Sequence, residues 1–344
     1  MKKAKVLVTG GLGYIGSHTV VELLKANYQP IIVDNLSNSK LGMLKQIEAI
    51  TGVKPDFYNF DLCDEKLVAE FVAGEKDLDS VIHFAAYKAV GESVAEPLKY
   101  YRNNFNSLLS VLKALEERQL KLVFSSSCTV YGQPDSLPVN EFEAVKQAES
   151  PYGNTKQVAE EILQDIARAD KSKKVISLRY FNPVGAHESA LIGELPLGIP
   201  QNLVPFVTQS AIGIRGPITV FGDDYNTRDG SCIRDYIHVV DLAMAHVAAL
   251  KFEGKDGANQ NFNTFNVGTG KGYTVLELIK AFEKTTGVNL NYKIGARRAG
   301  DIEQIWGDVT KAQKELNWEA QLGIDEMMKS AWAWEQYLQN HQID

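Results

Sequence analysis

The sequence predicts an α/β protein: a doubly wound, parallel, Rossmann-type sheet with a smaller, interleaved C-terminal α/β domain. Two observations predict it. Short β-rich apolar runs alternate with helical patterns through the first half, and such alternation builds right-handed βαβ units whose parallel sheet is buried on both faces. The first of these runs leads directly into a glycine-rich turn, Gly11-Leu12-Gly13-Tyr14-Ile15-Gly16, that opens a helix pattern. In such a fold a ligand sits outside the carboxyl ends of the strands.

In chain order, strands are expected at 5–9, 30–33, 56–60, 80–84, 121–126 and 174–180, with helices at 15–26, 64–73, 97–118 and 153–169. The texture changes after about Tyr180, where Pro183, Pro196, Pro200, Pro205 and Pro217 break the chain into loops and short helices. Helix patterns at 239–250 and 274–286 and a strand pattern at 262–267 follow. The tail carries Met327, Met328, Ala331, Trp332, Tyr337 and Leu338 at near-helical spacing, which reads as a helix packed on the core. The expected division is 1–181 for a dinucleotide and 182–344 for a substrate, with about 236–270 packing back on the first part.

Bulk properties exclude several functions. A chain of 344 residues with net charge −7 is poorly suited to nucleic acid or an anionic membrane. Cys63, Cys128 and Cys232 form no C-x-x-C pair, and the six histidines show no ligand spacing, so neither a disulfide framework nor a metal is expected. No apolar run approaches the roughly 20 residues of a membrane helix, and the lysine-rich start is unlike a signal segment. A soluble, cytoplasmic protein is the expectation.

Glycines in the turn let backbone approach a pyrophosphate, and amides at the helix N-terminus face its charge. Asp34 closes the second strand, where a carboxylate accepts both adenosine ribose hydroxyls and repels a 2′-phosphate. No arginine follows nearby, so NAD is favoured over NADP. Asp61 and Leu62 end the third strand; Asp61 reads equally as an adenine contact or as the cap of the next helix.

Among 14 tyrosines only Tyr152 has a lysine four residues on. Pro151 suits a helix start, and i, i+4 spacing puts Tyr152 and Lys156 on one face. A phenol titrates near pH ~10, so the Lys156 ammonium and a positive nicotinamide would be needed to make it a base. Ser125-Ser126-Ser127 ends the fifth strand, and Ser127 could share the proton of a reacting hydroxyl. A serine-hydrolase reading lacks the G-x-S-x-G elbow.

Six long motifs carry a resemblance. They are Val8-Thr9-Gly10-Gly11-Leu12-Gly13-Tyr14-Ile15-Gly16-Ser17-His18, Lys88-Ala89-Val90-Gly91-Glu92-Ser93, and Ser125-Ser126-Ser127-Cys128-Thr129-Val130-Tyr131-Gly132. Tyr180-Phe181-Asn182-Pro183-Val184-Gly185-Ala186-His187, Arg234-Asp235-Tyr236-Ile237-His238-Val239 and Arg297-Arg298-Ala299-Gly300-Asp301 complete them. Over nearly its full length the chain resembles the extended short-chain dehydrogenase/reductases, and among them the UDP-glucose 4-epimerase family.

The resemblance implies Tyr152 as base, Lys156 as its electrostatic partner and Ser127 as the relay to the sugar. It implies an NAD site of Gly10, Gly13, Tyr14, Ile15, Gly16, Asp34, Asn35, Asp61, Leu62, Phe84, Ala85, Lys88, Asn103, Ser125, Tyr152, Lys156 and Tyr180. For a UDP-sugar it implies Lys88, Ser127, Tyr152, Asn182, Asn202, Leu203, Thr219, Phe221, Arg234, Arg298, Asp301 and Ile305. Arg234 and Arg298 suit a diphosphate through charge-assisted forks; without the resemblance, each reads as an ordinary ion-pair arginine.

Three positions depart from the family pattern: Ala86-Tyr87 before Lys88, Gln201 beside Asn202, and Ile305, where relatives gate the 2-position of the sugar. Ile305 leaves action on N-acetylated UDP-sugars open. The implied activity is reversible epimerisation of UDP-glucose and UDP-galactose at carbon 4 with tightly held NAD. Rival readings are an epimerase for uronic or pentose UDP-sugars, a 4,6-dehydratase and a non-catalytic NAD sensor. The dehydratases place an acidic pair where Cys128-Thr129 stands. A homodimer through a four-helix bundle, from the helices at 97–118 and 153–169, is also implied.

Overall fold

A computed structural model describes residues 2–254, 261–298 and 302–344. Seven parallel strands form the central sheet: β1 (Lys5–Thr9), β2 (Gln29–Asp34), β3 (Asp56–Asn59), β4 (Leu78–His83), β5 (Leu120–Ser127), β6 (Lys173–Tyr180) and β10 (Phe262–Val267). Their spatial order is β10-β6-β5-β4-β1-β2-β3. The direction of winding reverses between β1 and β4, and there the strand ends open a crevice.

Alternation along the strands explains both covered faces. Val6 and Val8 of β1 point to one side with Ile32, Ile82 and Val123, under α1 (Tyr14–Lys25) and α8 (Val239–Lys251). Leu7 points to the other with Val33, Val81 and Leu122, under α3 (Glu65–Gly74), α5 (Pro97–Ala114) and α6 (Pro151–Ala169). Two further helices, α2 (Met43–Thr51) and α4 (Val90–Ala95), were not expected from the sequence. The helix expected to run to 118 stops at Ala114, because Arg118 turns to donate to Val72 O and Glu75 O at the end of α3.

The second half builds a small sheet around β9 (Ile233–His238). It pairs parallel with β7 (Asn182–Val184) and β13 (Gln304–Ile305) and antiparallel with β11 (Gly272–Thr274). A parallel pair, β8 (Ile218–Phe221) and β12 (Tyr292–Gly295), lies apart. α7 (Leu203–Ala211), α9 (Val275–Thr286) and α10 (Ile324–Leu338) cover these strands around Val184, Val207, Val220, Phe282, Met327 and Met328. A capping box of Thr274 and Glu277 starts α9, and Gly287 ends it at φ 72°. The tail stripe is therefore core: Met327, Met328 and Ala331 are buried, and Trp332 meets Phe282 edge-on at 5.6 Å.

Candidate active site

A cleft opens at the carboxyl ends of β1, β2, β4 and β5. Every residue expected at the NAD site lines it, from Gly10, Gly13, Tyr14, Ile15 and Gly16 through Asp34, Asn35, Asp61, Leu62, Phe84, Ala85, Lys88 and Asn103 to Ser125, Tyr152, Lys156 and Tyr180.

The glycine loop fits a diphosphate by geometry. Gly10 stands at φ +68°, and a Cβ there would meet Ala85 N at 3.1 Å. At Gly16 a Cβ would overlap Gly10 O, so only glycine lets α1 begin this close to the loop. No side chain caps α1 and no acidic residue occupies its first turn, which leaves its amides for an anion. Tyr14 OH donates to Gly185 O at 2.6 Å, tying the loop to the segment after β7.

Asp34 is 8% exposed and holds the second loop in place. Its carboxylate accepts from Leu12 N at 3.1 Å, Leu36 N at 2.9 Å and Ser39 Oγ at 2.8 Å. Asp61 is not the helix cap: Asp64 caps α3 through Lys66 N and Leu67 N, while Asp61 accepts from Cys63 N and Asn35 Nδ2. Tyr87, one of the departures from the pattern, is fixed by a reciprocal pair in which its N–H donates to Asn104 Oδ1 and Asn104 Nδ2 donates to its carbonyl. Ala86, its neighbour in that departure, lines the cleft with it; Ser37, Asn38, Ser39, Phe60 and Ser107 also line the cleft and were not singled out in the sequence. The polar run after Asp34 was the available signal for Ser37, Asn38 and Ser39.

Tyr152 and Lys156 lie one turn apart on α6, whose N-cap Ser150 accepts from Gly153 N and whose first residue is Pro151. Ser127 ends β5, its hydroxyl accepting from Thr129 N and acting to lower the pKa of the Tyr152 phenol. Lys156 Nζ donates to Ser125 O at 2.6 Å and stands 6.0 Å from the Tyr152 ring centre. Burial pushes the Tyr152 phenol well above its ordinary range, against the effect of Ser127, and pushes the Lys156 ammonium down to about 8. At neutral pH the phenol is therefore protonated and the lysine charged. A further positive charge beside the ring is what this site needs to make Tyr152 a base.

Beneath them lies a buried network. Arg179 donates to both oxygens of Glu160, which also accepts from Ser126 Oγ and Ser177 Oγ. Glu160 follows Lys156 by one turn of α6 and its charge favours the protonated lysine.

Of the described residues expected to hold a UDP-sugar, Lys88 and Tyr152 line the cleft and the others lie outside its lining. Asn182, Arg234 and Ile305 share the small sheet, Ile305 opposite Arg234. Arg234 Nη1 donates to Ile233 O at 2.8 Å. Thr219 and Phe221 lie on β8, with the Arg298 guanidinium 5.6 Å from the Phe221 ring centre. Asn202 stands at the N-cap position of α7 without a side-chain cap bond, and Leu203 begins the helix. Ile305 is 2% exposed, packed with Cys128, Val130, Tyr131, Val139 and Phe181. Asp301 lies outside the described residues. No group of metal-ligating side chains exists among the described residues.

A family profile described as GDP-mannose 4,6 dehydratase matches residues 7–331. A UDP-glucose 4-epimerase of Bacillus subtilis is 50% identical over 332 residues, covering 96% of each chain. The chain belongs to the UDP-glucose 4-epimerase family. Likeness to family members extends to the backbone. The Bifidobacterium longum UDP-glucose 4-epimerase, solved in complex with NAD+ and UDP, superposes at a TM-score of 0.93 with 48% identity, covering 98% of this chain and 99% of that one. The UDP-Glc/GlcNAc 4-epimerase of Campylobacter jejuni has a TM-score of 0.82 at 35% identity, covering 97% and 99%. At the residues where a 4,6-dehydratase would carry its acidic pair, this epimerase-family chain has Cys128, buried, and Thr129.

Proposed function

We propose that the chain interconverts UDP-glucose and UDP-galactose at carbon 4, with NAD held in the cleft between turnovers. The observation that carries this reading is the placement of Tyr152 and Lys156 in one cleft with the glycine loop and Asp34. The glycine loop and the uncapped start of α1 would hold the NAD diphosphate, and Asp34 the adenosine ribose. Bound NAD supplies a hydride acceptor and donor for sugar carbon 4, and a positive charge beside Tyr152.

With that charge present, Tyr152 takes the proton of the sugar 4-hydroxyl, with Ser127 bridging phenol and sugar oxygen. Lys156, charged at neutral pH and fixed on Ser125 O, keeps the phenolate form stable. The 4-keto sugar turns about its diphosphate link and would take the hydride back on the other face of carbon 4, as Tyr152 returns the proton to the 4-oxygen. Inversion requires a firm UDP anchor and a loosely held hexose. Arg234 and Arg298 have the forked geometry for the diphosphate. In this reading residues 1–181 serve NAD and 182–344 serve the UDP-sugar.

The same reading places the enzyme in galactose metabolism in the cytoplasm, as a homodimer. The dimer is supported by Leu98, 81% exposed, and Leu109, 43% exposed, on the outer face of α5. The free cysteines suit a reducing compartment, and no helix among the described residues is long and apolar enough to cross a membrane. Purified protein given UDP-galactose and no nucleotide should yield UDP-glucose. NAD-loaded protein that forms no UDP-glucose would refute the assignment.

A further inference from the structure

Glu194 belongs to neither the glycine loop nor the serine strand end, yet contacts from three directions converge on it. Its Oε1 accepts from Lys88 Nζ at 3.0 Å and from Asn202 Nδ2 at 2.6 Å. Lys88 follows β4 and lines the cleft, whereas Asn202 immediately precedes α7. One carboxylate thus spans the gap between the cofactor-side loop and the loop leading into α7.

The backbone behind this carboxylate is fixed. Trp334 Nε1 of α10 donates to Glu194 O at 2.8 Å, and a Cβ at Gly193 would lie 2.7 Å from that nitrogen. The Glu194 side chain is 13% exposed, against 45% for Lys88. The less mobile partner therefore sets where the flexible ammonium rests. A carboxylate only accepts hydrogen bonds, so Asn202 must turn its NH2 toward Glu194, leaving Oδ1 as its remaining polar atom. Both side chains are thereby given one orientation.

Resting on the function proposed above, we infer that Glu194 is a positioning residue for the UDP-sugar: it holds the Lys88 ammonium and the Asn202 amide where the substrate meets them. Glu194 touches neither Tyr152 nor Ser127, so its loss falls on substrate binding and spares the proton steps.

The test uses full-length, NAD-loaded protein as wild type, Glu194→Gln, Glu194→Asp, Lys88→Met and Glu194→Gln/Lys88→Met. UDP is titrated calorimetrically, and steady-state rates are measured with UDP-galactose. Glu194→Gln keeps the shape and removes the charge; it should raise the UDP Kd and the UDP-galactose KM about tenfold and leave kcat within about twofold. Glu194→Asp should recover part of the affinity. In the Lys88→Met background the Glu194→Gln effect should shrink, because the two residues act through one contact. An unchanged Kd and KM in Glu194→Gln, or an effect undiminished in the Lys88→Met background, overturns the role. Wild-type protein that binds no UDP instead overturns the UDP-sugar reading itself.

Discussion

An alanine at Gly16 puts a methyl group where α1 meets the glycine loop. Its Cβ would overlap Gly10 O and stand 2.8 Å from Gly11 Cα. Both neighbours are backbone and cannot swing aside. Carbon atoms settle at ~3.5–4.0 Å, so the first turn of α1 must retreat from the loop by roughly 0.7 Å or more. α1 has little room for this, since residues Gly16 to Val21 and Leu23 are buried and pack toward α8. Overpacking of this kind costs about 1–3 kcal/mol, and the same shift carries the α1 amides away from a bound diphosphate. The assay is paired: urea unfolding for stability, and NAD released per mole of purified protein. Gly16→Ala should lose stability in that range and most of its NAD. Gly74→Ala, where a Cβ meets nothing within 4 Å, should lose neither. A Gly16→Ala protein with wild-type NAD content and an unchanged unfolding midpoint would refute the reasoning.

Acid should unfold the protein steeply. Burial pushes His18 and His83 down to about 3 and His238 and His246 down to about 4, so the unfolded chain binds their protons first as pH falls below ~6.5. Stability present above that pH is lost toward pH 4, at about 1.4 kcal/mol per pH unit for each histidine; a urea midpoint flat from pH 7 to 4.5 would contradict this. Glu160→Gln leaves the Arg179 guanidinium, 7% exposed, without its carboxylate and should cost about 3–5 kcal/mol in urea unfolding. A loss below about 1 kcal/mol, the scale of surface pairs, would show the pair to be dispensable. Leu98→Glu should convert a dimer to a monomer in sedimentation without loss of folded structure; an unchanged sedimenting species would remove α5 from the interface.

The central strands were legible because each carries its own signal. β1 and β10 span Lys5–Thr9 and Phe262–Val267 as expected, and the other sheet strands shifted by one or two residues at their ends. The glycine loop and Asp34 were legible for the same reason: turn, helix start and acidic strand end lie within one βαβ unit. β7, β8, β9, β11, β12 and β13 were not. They are two to six residues long, and their partners lie far off in sequence, as when β8 pairs with β12 across about seventy residues. Glu194 was silent for the same reason, since its role depends on Lys88 and Trp334, more than a hundred residues away on either side. The sequence pattern put Tyr152 and Lys156 on one face but not the balance of their charges. That balance is set by burial, by the neighbouring Tyr180 and by the Glu160 carboxylate, which only the packed structure supplies.

The most direct test of the account is the rate of UDP-galactose conversion by Tyr152→Phe, measured beside wild type with no nucleotide added and with NAD content determined for both. Loss of the phenol should leave bound NAD in place and lower the rate by at least ~100-fold, the scale of a lost general acid–base group. A Tyr152→Phe protein that keeps its NAD and converts UDP-galactose at a rate close to wild type would contradict it.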